Sequence, residues 1–285
     1  MQRNKKRPEI KKCPACESFE SEIYLTGVQD YTFRTTDEGW DIKKCLYCSS
    51  LYLKNPPTKQ EIHNYYKNYY TKKEKITIKY KVKNAAKKTL NIIRYKYNIN
   101  IIVKLINTIS KQPKWIQLLE KNEYKNSLDY GCGSGIQSEH LTHIVKNRYG
   151  YEIDRSAAGI ANERGLKMIS EIEFKRLAGE FNLVIMIDTI EHIIGLNEDF
   201  LEIVKLIPKN GNILITTPNS EAESLQLEKE AWRGLEVPRH IQIFSIKGIC
   251  IFLERNGFEI MGLRTATLNE IKRGGDTIQL IGKKI

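Results

Sequence analysis

The sequence predicts an α/β fold, a mainly parallel sheet with helices on both faces, preceded by a small metal-stabilised unit and a helical segment. Three observations predict it. From residue 126 onward, short apolar runs typical of strands alternate with helical patterns. A glycine-rich turn follows the first of these strands, and two Cys-x-x-Cys pairs stand near the amino terminus.

The composition is that of a globular protein. Of the 285 residues, 41% are hydrophobic, and apolar side chains recur along the whole chain, which disfavours wholesale disorder. No apolar run approaches the roughly 18 residues that span a bilayer, and the basic start of the chain lacks the apolar stretch of a secretory signal. Six cysteines are too few for a disulfide scaffold at this length. We therefore expect a soluble cytoplasmic protein without a membrane span.

The net charge of +12 is concentrated in the first 126 residues and is highest in 67–125. A basic segment of this kind suits nucleic acid, an anionic membrane surface or a phosphorylated substrate. The chain is also rich in Lys, Ile and Asn throughout, and a biased composition explains the charge without any binding function. Both interpretations stay open.

Residues 1–56 are predicted to form a zinc ribbon. Two Cys-x-x-Cys pairs, separated by 28 residues, supply four soft ligands for a tetrahedral ion: Cys13, Cys16, Cys45 and Cys48. Short strands are predicted at 23–25, 31–33 and 51–53. Four thiolates leave no open coordination position, so this Zn²⁺ is expected to be structural.

Residues 57–125 are predicted to be a basic helical linker or lid. Thr58 is placed to cap a helix that begins near Lys59, with Glu61 as its third residue. From Ile76 to about Glu120, apolar residues recur at helical spacing with lysines between them. Plain packing helices with a solvated lysine face and a binding arm are both compatible with this pattern.

Residues 126–285 are predicted to be the α/β domain itself. Its last two strands are joined without a helical pattern, which favours an antiparallel final strand. The predicted strands are 127–130, 148–153, 181–187, 211–217, 258–264 and 276–282, and the predicted helices are 136–145, 155–163, 197–206 and 246–255.

The turn after the first strand has the composition of a nucleotide-binding loop. Gly131, Gly133 and Gly135 permit a tight turn and a close approach of a ligand to the backbone. Ile136 stands where a dinucleotide fingerprint has its third glycine, which argues against NAD. Glu152 lies 21 residues after Gly131, at the end of the second strand, where a carboxylate can accept both hydroxyls of a ribose.

This segment resembles motif I of class I S-adenosylmethionine-dependent methyltransferases, which have a Rossmann-like sheet. The stretch from Phe181 to His192 and the run from Leu206 to Asn219 are similar to further landmarks of that family, although Asn182 and Asn210 replace its usual Asp and Gly. With the cysteine pairs and the segment Trp232–Ser245, the chain resembles a bacterial subgroup that carries an N-terminal zinc ribbon. Its members are associated with surface-polysaccharide or natural-product pathways.

The resemblance implies roles for individual residues. Asp129 and the three glycines would hold the methionine part of S-adenosylmethionine, and Glu152 would hold the ribose. Ile187 and Asp188 would border the cofactor. Asp154 either contributes to this site or simply caps the next helix.

An oxygen acceptor must lose a proton during methyl transfer, so a general base or a metal is expected. Asp188, Glu191 and His192 resemble the Glu-x-x-Glu-His pattern of small-RNA 2′-O-methyltransferases and ubiquinone-pathway O-methyltransferases, in which these residues and a later histidine bind a cation such as Mg²⁺. His240 is that later histidine here, and it is also the candidate general base. Alternatively, Glu191 and His192 only support the fold.

The sequence therefore predicts O-methylation of a sugar, a glycan or another hydroxylated metabolite, with polysaccharide biosynthesis as the setting. The first alternative is an RNA methyltransferase that uses the ribbon and the basic helices to bind nucleic acid. The second is a non-catalytic module that binds the cofactor. The oligomeric state stays open.

Overall fold

The computed structural model describes residues 7–66, 113–119, 122–267 and 274–285. Most of the predicted helical segment, from Ile76 to Glu120, lies outside these residues. Contacts divide the chain into two compact units, a first unit of Met1–Tyr70, Ile187–Lys205 and Ile213–Ile285, and a second unit of Thr71–Met186 and Leu206–Asn212. None of the helices that the structure describes combines the length and apolar character needed to cross a membrane.

The described strands and helices are numbered in chain order. The strands are β1 (Ser21–Val28), β2 (Trp40–Cys45), β3 (Leu51–Leu53), β4 (Tyr124–Tyr130), β5 (Val145–Tyr151), β6 (Lys167–Met168), β7 (Leu183–Ile187), β8 (Asn212–Pro218), β9 (Gln242–Ile243), β10 (Phe258–Ala266) and β11 (Thr277–Lys284). The helices are α1 (Ile136–Glu139), α2 (Arg155–Glu163), α3 (Glu171–Phe174), α4 (Leu196–Leu206), α5 (Glu223–Glu228) and α6 (Ile246–Arg255).

The larger sheet has seven strands in the order β10-β11-β8-β7-β4-β5-β6. β4 pairs in parallel with β5 and with β7, whereas β10 and β11 are antiparallel. The predicted α/β class is thus confirmed, and so is the antiparallel final strand. Leu183 to Met186 of β7 are fully buried, as their unbroken apolar run predicts for a central parallel strand.

The strand order reverses beside β4. The chain passes from β4 to β5 and β6 on one side and then returns to β7 on the other side of β4. In open α/β sheets, ligands bind outside the carboxyl ends of the strands at such a reversal. The glycine-rich turn that ends β4 therefore stands where a ligand site is expected.

The smaller sheet belongs to the first unit and has the order β1-β2-β3-β9. Its strands are antiparallel, and β9 pairs with β3 through Leu51 opposite Ile243. The sequence did not predict this fourth strand. Trp40 and Ile42 share one buried apolar cluster with Trp232 and Val237, so the N-terminal strands and residues 232–243 form a common core.

Three predicted elements differ from the structure. The helix predicted to begin near Lys59 is instead a short 3₁₀ helix, Ile62–Tyr66. Residues 31–33 form a turn rather than a strand, because the Asp30 carboxylate accepts hydrogen bonds from the backbone N–H groups of Phe33 and Thr35. The helix predicted over 136–145 ends as an α-helix at Glu139. Its continuation is limited because β5 already begins at Val145, where it pairs with β4.

Candidate functional site

The glycine-rich turn lies in the second unit and has the backbone that its sequence predicts. Gly131, Gly133 and Gly135 have φ angles of +76°, +51° and +80°, which strongly favour glycine. A Cβ atom on Gly135 would lie 3.1 Å from the Cα atom of Ala161, so this glycine permits close packing on α2. A Cβ atom on Gly133 would meet nothing within 4 Å, which leaves that side of the turn open to a ligand.

Glu152 and the turn are in direct contact. The carboxylate of Glu152 accepts hydrogen bonds from the N–H groups of Gly133 and Asp154, both at 2.8 Å. Asp154 itself accepts hydrogen bonds from the N–H groups of Ser156 and Ala157 at the start of α2. Of the two roles considered for Asp154, helix capping is therefore the one seen in its contacts.

Asp129 is buried just before the turn. Its carboxylate accepts a hydrogen bond of 2.8 Å from the Ser138 hydroxyl. Burial raises the pKa of Asp129 to about 7, although the Ser138 hydrogen bond opposes the rise. A buried carboxylate fits a cationic ligand group, because a bound ammonium would stabilise the negative charge in place of the water that burial removes.

The raised pKa of Asp129 predicts a pH effect on stability. The folded chain holds this proton up to about pH 7, whereas the unfolded chain releases it near pH 4, so this group makes stability fall as the pH rises between those values. We expect Asp129→Asn to remove a penalty on the order of 4 kcal/mol above pH 7. Urea unfolding of the wild type and the variant at pH 5 and pH 8 measures this penalty. If the stability advantage of the variant over the wild type is no larger at pH 8 than at pH 5, the assignment is contradicted.

A second group of polar residues follows β7 and lies in the first unit. Glu191 and His192 belong to a short 3₁₀ turn, Ile190–His192, and His240 follows a buried arginine. One potential ligand atom from each of Glu191, His192 and His240 lies within 4.8 Å of the other two. We call these three residues the Glu-His-His cluster.

Both histidines of the cluster are oriented by backbone carbonyls. Nδ1 of His192 lies 3.1 Å from the carbonyl oxygen of Arg239, and Nδ1 of His240 lies 2.8 Å from that of Gly234. Nδ1 of His192 also lies 3.1 Å from the Tyr66 hydroxyl. A carbonyl oxygen only accepts, so a hydrogen bond to it requires the hydrogen on Nδ1 and leaves the Nε2 lone pair available for a ligand. Metal-binding histidines have this arrangement, because the second nitrogen then fixes the ring and the tautomer.

The electrostatics of the cluster favour neutral imidazoles. Burial lowers the pKa of His192 to about 3 and that of His240 to about 4. Burial, followed by the charge of Asp188, raises the pKa of Glu191 well above its usual range. One oxygen of Glu191 accepts a hydrogen bond of 2.9 Å from Thr217, and the other has no hydrogen-bond partner among the described residues. An orphaned buried carboxylate oxygen beside two imidazoles fits a cation.

Two predicted site residues lie outside this cluster. Asp188 accepts a hydrogen bond from the Thr216 hydroxyl at 3.2 Å and is not among the three residues that converge. Ile187 is the last residue of β7 and is partly buried. Of the four candidates for a Mg²⁺ site, the structure thus brings together Glu191, His192 and His240.

The four N-terminal cysteines also converge. The two Cys-x-x-Cys pairs form the same turn, in which the N–H group four residues after the first cysteine bonds the carbonyl oxygen of that cysteine. The Sγ atoms of Cys13 and Cys48 are 3.6 Å apart, and those of Cys16 and Cys45 are 3.5 Å apart. Zn–S bonds of about 2.3 Å in a tetrahedron require a separation of about 3.8 Å, so the four thiols fit a zinc ion.

Three residues near the Glu-His-His cluster were not predicted. Tyr66 places its hydroxyl 3.1 Å from Nδ1 of His192, Thr217 bonds Glu191, and Asp30 forms a buried ion pair with Arg239. No local signal in the sequence marks Asp30, because a single aspartate in a loop is ordinary. Thr217 stands at the carboxyl end of a predicted strand, which was the one available hint.

Comparisons with known proteins agree with the family that the glycine-rich turn resembles. A family model described as a methyltransferase domain matches residues 102–262, more than half of the 285 residues. The chain is 23% identical over 119 residues to a ubiquinone biosynthesis O-methyltransferase of Dechloromonas aromatica, covering 39% of this chain and 51% of the relative. It is 27% identical over 143 residues to the protein of that name from Pelagibacter ubique, covering 47% and 56%.

The chain therefore spans about half the length of the curated relatives it matches. Among solved structures, it is similar to an S-adenosylmethionine-dependent methyltransferase of Thermotoga maritima, described as a possible histamine N-methyltransferase. That likeness has a TM-score of 0.49 and 19% sequence identity, and it covers 60% of this chain and 88% of the other.

Proposed function

Because the chain belongs to the methyltransferase domain family, we propose that it transfers the methyl group of S-adenosylmethionine to a hydroxyl oxygen of a sugar, a glycan or a related metabolite. The observation that carries the choice of an oxygen acceptor is the convergence of Glu191, His192 and His240. A hydroxyl is a poor nucleophile until it loses its proton, and this donor set suits that task. The relatives that the chain matches are named O-methyltransferases, which supports the same choice.

The residues of the glycine-rich turn are assigned to the cofactor. Asp129 offers a buried carboxylate for the ammonium of the methionine part, and Glu152 offers a carboxylate for the ribose hydroxyls. The glycines let the cofactor approach the backbone, with Gly133 facing open space. When bound, S-adenosylmethionine supplies a methyl group on an activated sulfonium, so much of the catalysis can come from holding the acceptor in line with it.

The ribose role makes a direct prediction. We expect Glu152→Ala to weaken binding of S-adenosylhomocysteine by about tenfold or more, because two charge-assisted hydrogen bonds would be lost. Isothermal titration calorimetry measures the affinity. Glu163→Ala, which changes an exposed carboxylate of α2, is the matched control and should bind like the wild type. Equal affinity in the Glu152 variant would contradict the role.

We assign the Glu-His-His cluster to a divalent cation. When bound, the cation would supply Lewis acidity that makes an acceptor hydroxyl easier to deprotonate. Two imidazoles and one carboxylate favour a metal such as Mn²⁺ or Co²⁺ over the Mg²⁺ that the sequence suggested. His240 acting alone as a general base is less well supported, since burial holds its pKa at about 4, below the range of an effective base at neutral pH.

We assign the four N-terminal cysteines to a structural zinc ion. Their sulfur atoms are spaced for a tetrahedral site, and the four thiolates would fill every ligand position of the ion. No position is left for a substrate. The zinc ion is therefore given a role in folding and none in the chemical step.

A methyl-transfer assay tests the proposed function. Purified protein is incubated with methyl-labelled S-adenosylmethionine and extract of source cells that lack the gene, with and without added Mn²⁺ or Mg²⁺. We expect label in the glycan or small-molecule fraction, stimulated by the cation. Label in RNA would overturn the acceptor and favour the nucleic-acid alternative, and its loss at higher salt would identify phosphate contacts. Absence of label from every fraction would contradict catalysis.

A further inference from the structure

We propose that Asp30, in the loop between β1 and β2, is a positioning residue that acts through Arg239 to orient His192 and His240. The inference rests on the function proposed for these two histidines. It gives the N-terminal segment a role in the catalytic site beyond holding zinc.

Asp30 and Arg239 form a buried, two-point ion pair. Nη1 of Arg239 donates to Oδ2 of Asp30 at 2.9 Å, and Nη2 donates to Oδ1 at 3.0 Å. Both side chains are fully buried. The guanidinium also lies 4.7 Å from the centre of the Phe33 ring, and its Nε donates to Glu236 at 3.3 Å. A planar fork held at two points has one orientation, which a single contact would not fix.

Asp30 is also held in place by groups of its own loop. The N–H groups of Phe33 and Thr35 donate to its two oxygens at 3.0 and 2.9 Å, and the Thr35 hydroxyl donates at 2.7 Å. Burial alone would raise the pKa of Asp30, but the hydrogen bonds from Arg239 and Thr35 outweigh it and hold the pKa well below its usual range. The carboxylate is therefore a rigid, ionised anchor.

The backbone of Arg239 connects this anchor to the Glu-His-His cluster. Its carbonyl oxygen is the acceptor that orients Nδ1 of His192, and His240 is the next residue. The carbonyl of Glu236 accepts the N–H groups of Arg239 and His240, and the N–H of Ile241 donates to the Glu191 carbonyl at 2.8 Å. A shift in the position of Arg239 would therefore move His240 and would reorient the carbonyl that accepts from His192.

Packing alone does not account for this arrangement. A buried ion pair contributes little net stability compared with apolar side chains of similar size, because both charges lose their hydration. Its distinctive property is a fixed geometry. Here that geometry ends on the carbonyl beside Nδ1 of His192, which favours the tautomer with its hydrogen on Nδ1, the detail a metal-binding histidine depends on.

The test is the full-length Asp30→Asn variant with ¹⁵N-labelled histidine. Long-range ¹H–¹⁵N spectra report which ring nitrogen carries the hydrogen. We expect His192 and His240 of the wild type to be protonated on Nδ1, and the variant to show mixed tautomers or shifted signals for both. His140 and His143, which lie in the second unit, serve as internal references. Titration with Co²⁺ alone should show affinity at least about tenfold weaker, as for other lost outer contacts.

The matched control is Glu38→Gln. Glu38 lies in the same loop and bonds Arg7 and Tyr65, so its loss should leave the histidine signals unchanged. Because Asp30→Asn strands a buried guanidinium, the double variant Asp30→Asn/Arg239→Gln, which replaces both charges with amides, is measured beside it. Wild-type tautomers in a folded variant would overturn the proposal. Since this readout needs neither cofactor nor acceptor, failure of the positioning role can be distinguished from a failure to detect methyl transfer.

Discussion

Replacing Glu191 with glutamine is expected to lower methyl transfer by about 100-fold or more while the chain stays folded. Glutamine has the shape of glutamate and keeps an oxygen for the Thr217 hydroxyl. It lacks the negative charge that the proposed cation needs, because among the described residues we assign the orphaned oxygen of Glu191 as the carboxylate ligand of the site. The loss should therefore fall on the cation and on the turnover, and it should spare the affinity for the cofactor.

Three measurements on the same protein separate these effects. Turnover with the labelled cofactor gives the rate, Co²⁺ titration gives the cation affinity, and calorimetry with S-adenosylhomocysteine gives the cofactor affinity. Glu202→Gln is the matched control, since Glu202 is exposed on α4, where it forms a surface ion pair with Lys205. Near wild-type turnover in the Glu191 variant would remove the residue from the mechanism. A parallel loss of cofactor affinity would indicate a purely structural role.

The parts of the fold that could be predicted are those fixed by neighbouring residues. Gly131, Gly133 and Gly135 mark a turn that local sterics demand, and the alternation of apolar runs predicts the parallel strands on either side of it. The antiparallel end of the sheet followed from the absence of a helical pattern between its last two strands. Each of these signals is contained within about 30 residues of chain.

The remaining features depend on residues that are far apart in the sequence. β9 is two residues long and carries no strand signal of its own, yet it pairs with β3, which is about 190 residues earlier. Asp30 and Arg239 are 209 positions apart, and the turn that Asp30 imposes replaced a predicted strand. Glu191, His192 and His240 were brought together by resemblance, and the carbonyls that orient the two histidines could only come from the structure.

Replacing Cys13 with serine is expected to release zinc and to unfold much of the first unit, although Cys13 is remote in sequence from the Glu-His-His cluster. A structural zinc site in a small unit contributes about 10 kcal/mol or more of folding free energy in model systems, so the loss of one thiolate is severe. The effect should spread along the smaller sheet. The Ser245 hydroxyl donates to the Cys48 carbonyl, and β9 pairs with β3 directly after the second cysteine pair.

The expected size is a fall in melting temperature of about 10 °C or more, together with loss of the zinc ion that we assign to the four cysteines. Elemental analysis and differential scanning calorimetry measure both. Cys250→Ser is the matched control, because Cys250 lies in α6 outside the four-cysteine group and should leave zinc content unchanged. Full retention of one zinc per chain in the Cys13 variant would refute the site. If the variant loses zinc but still binds Co²⁺ at the Glu-His-His cluster, the effect of the zinc site does not extend to that cluster.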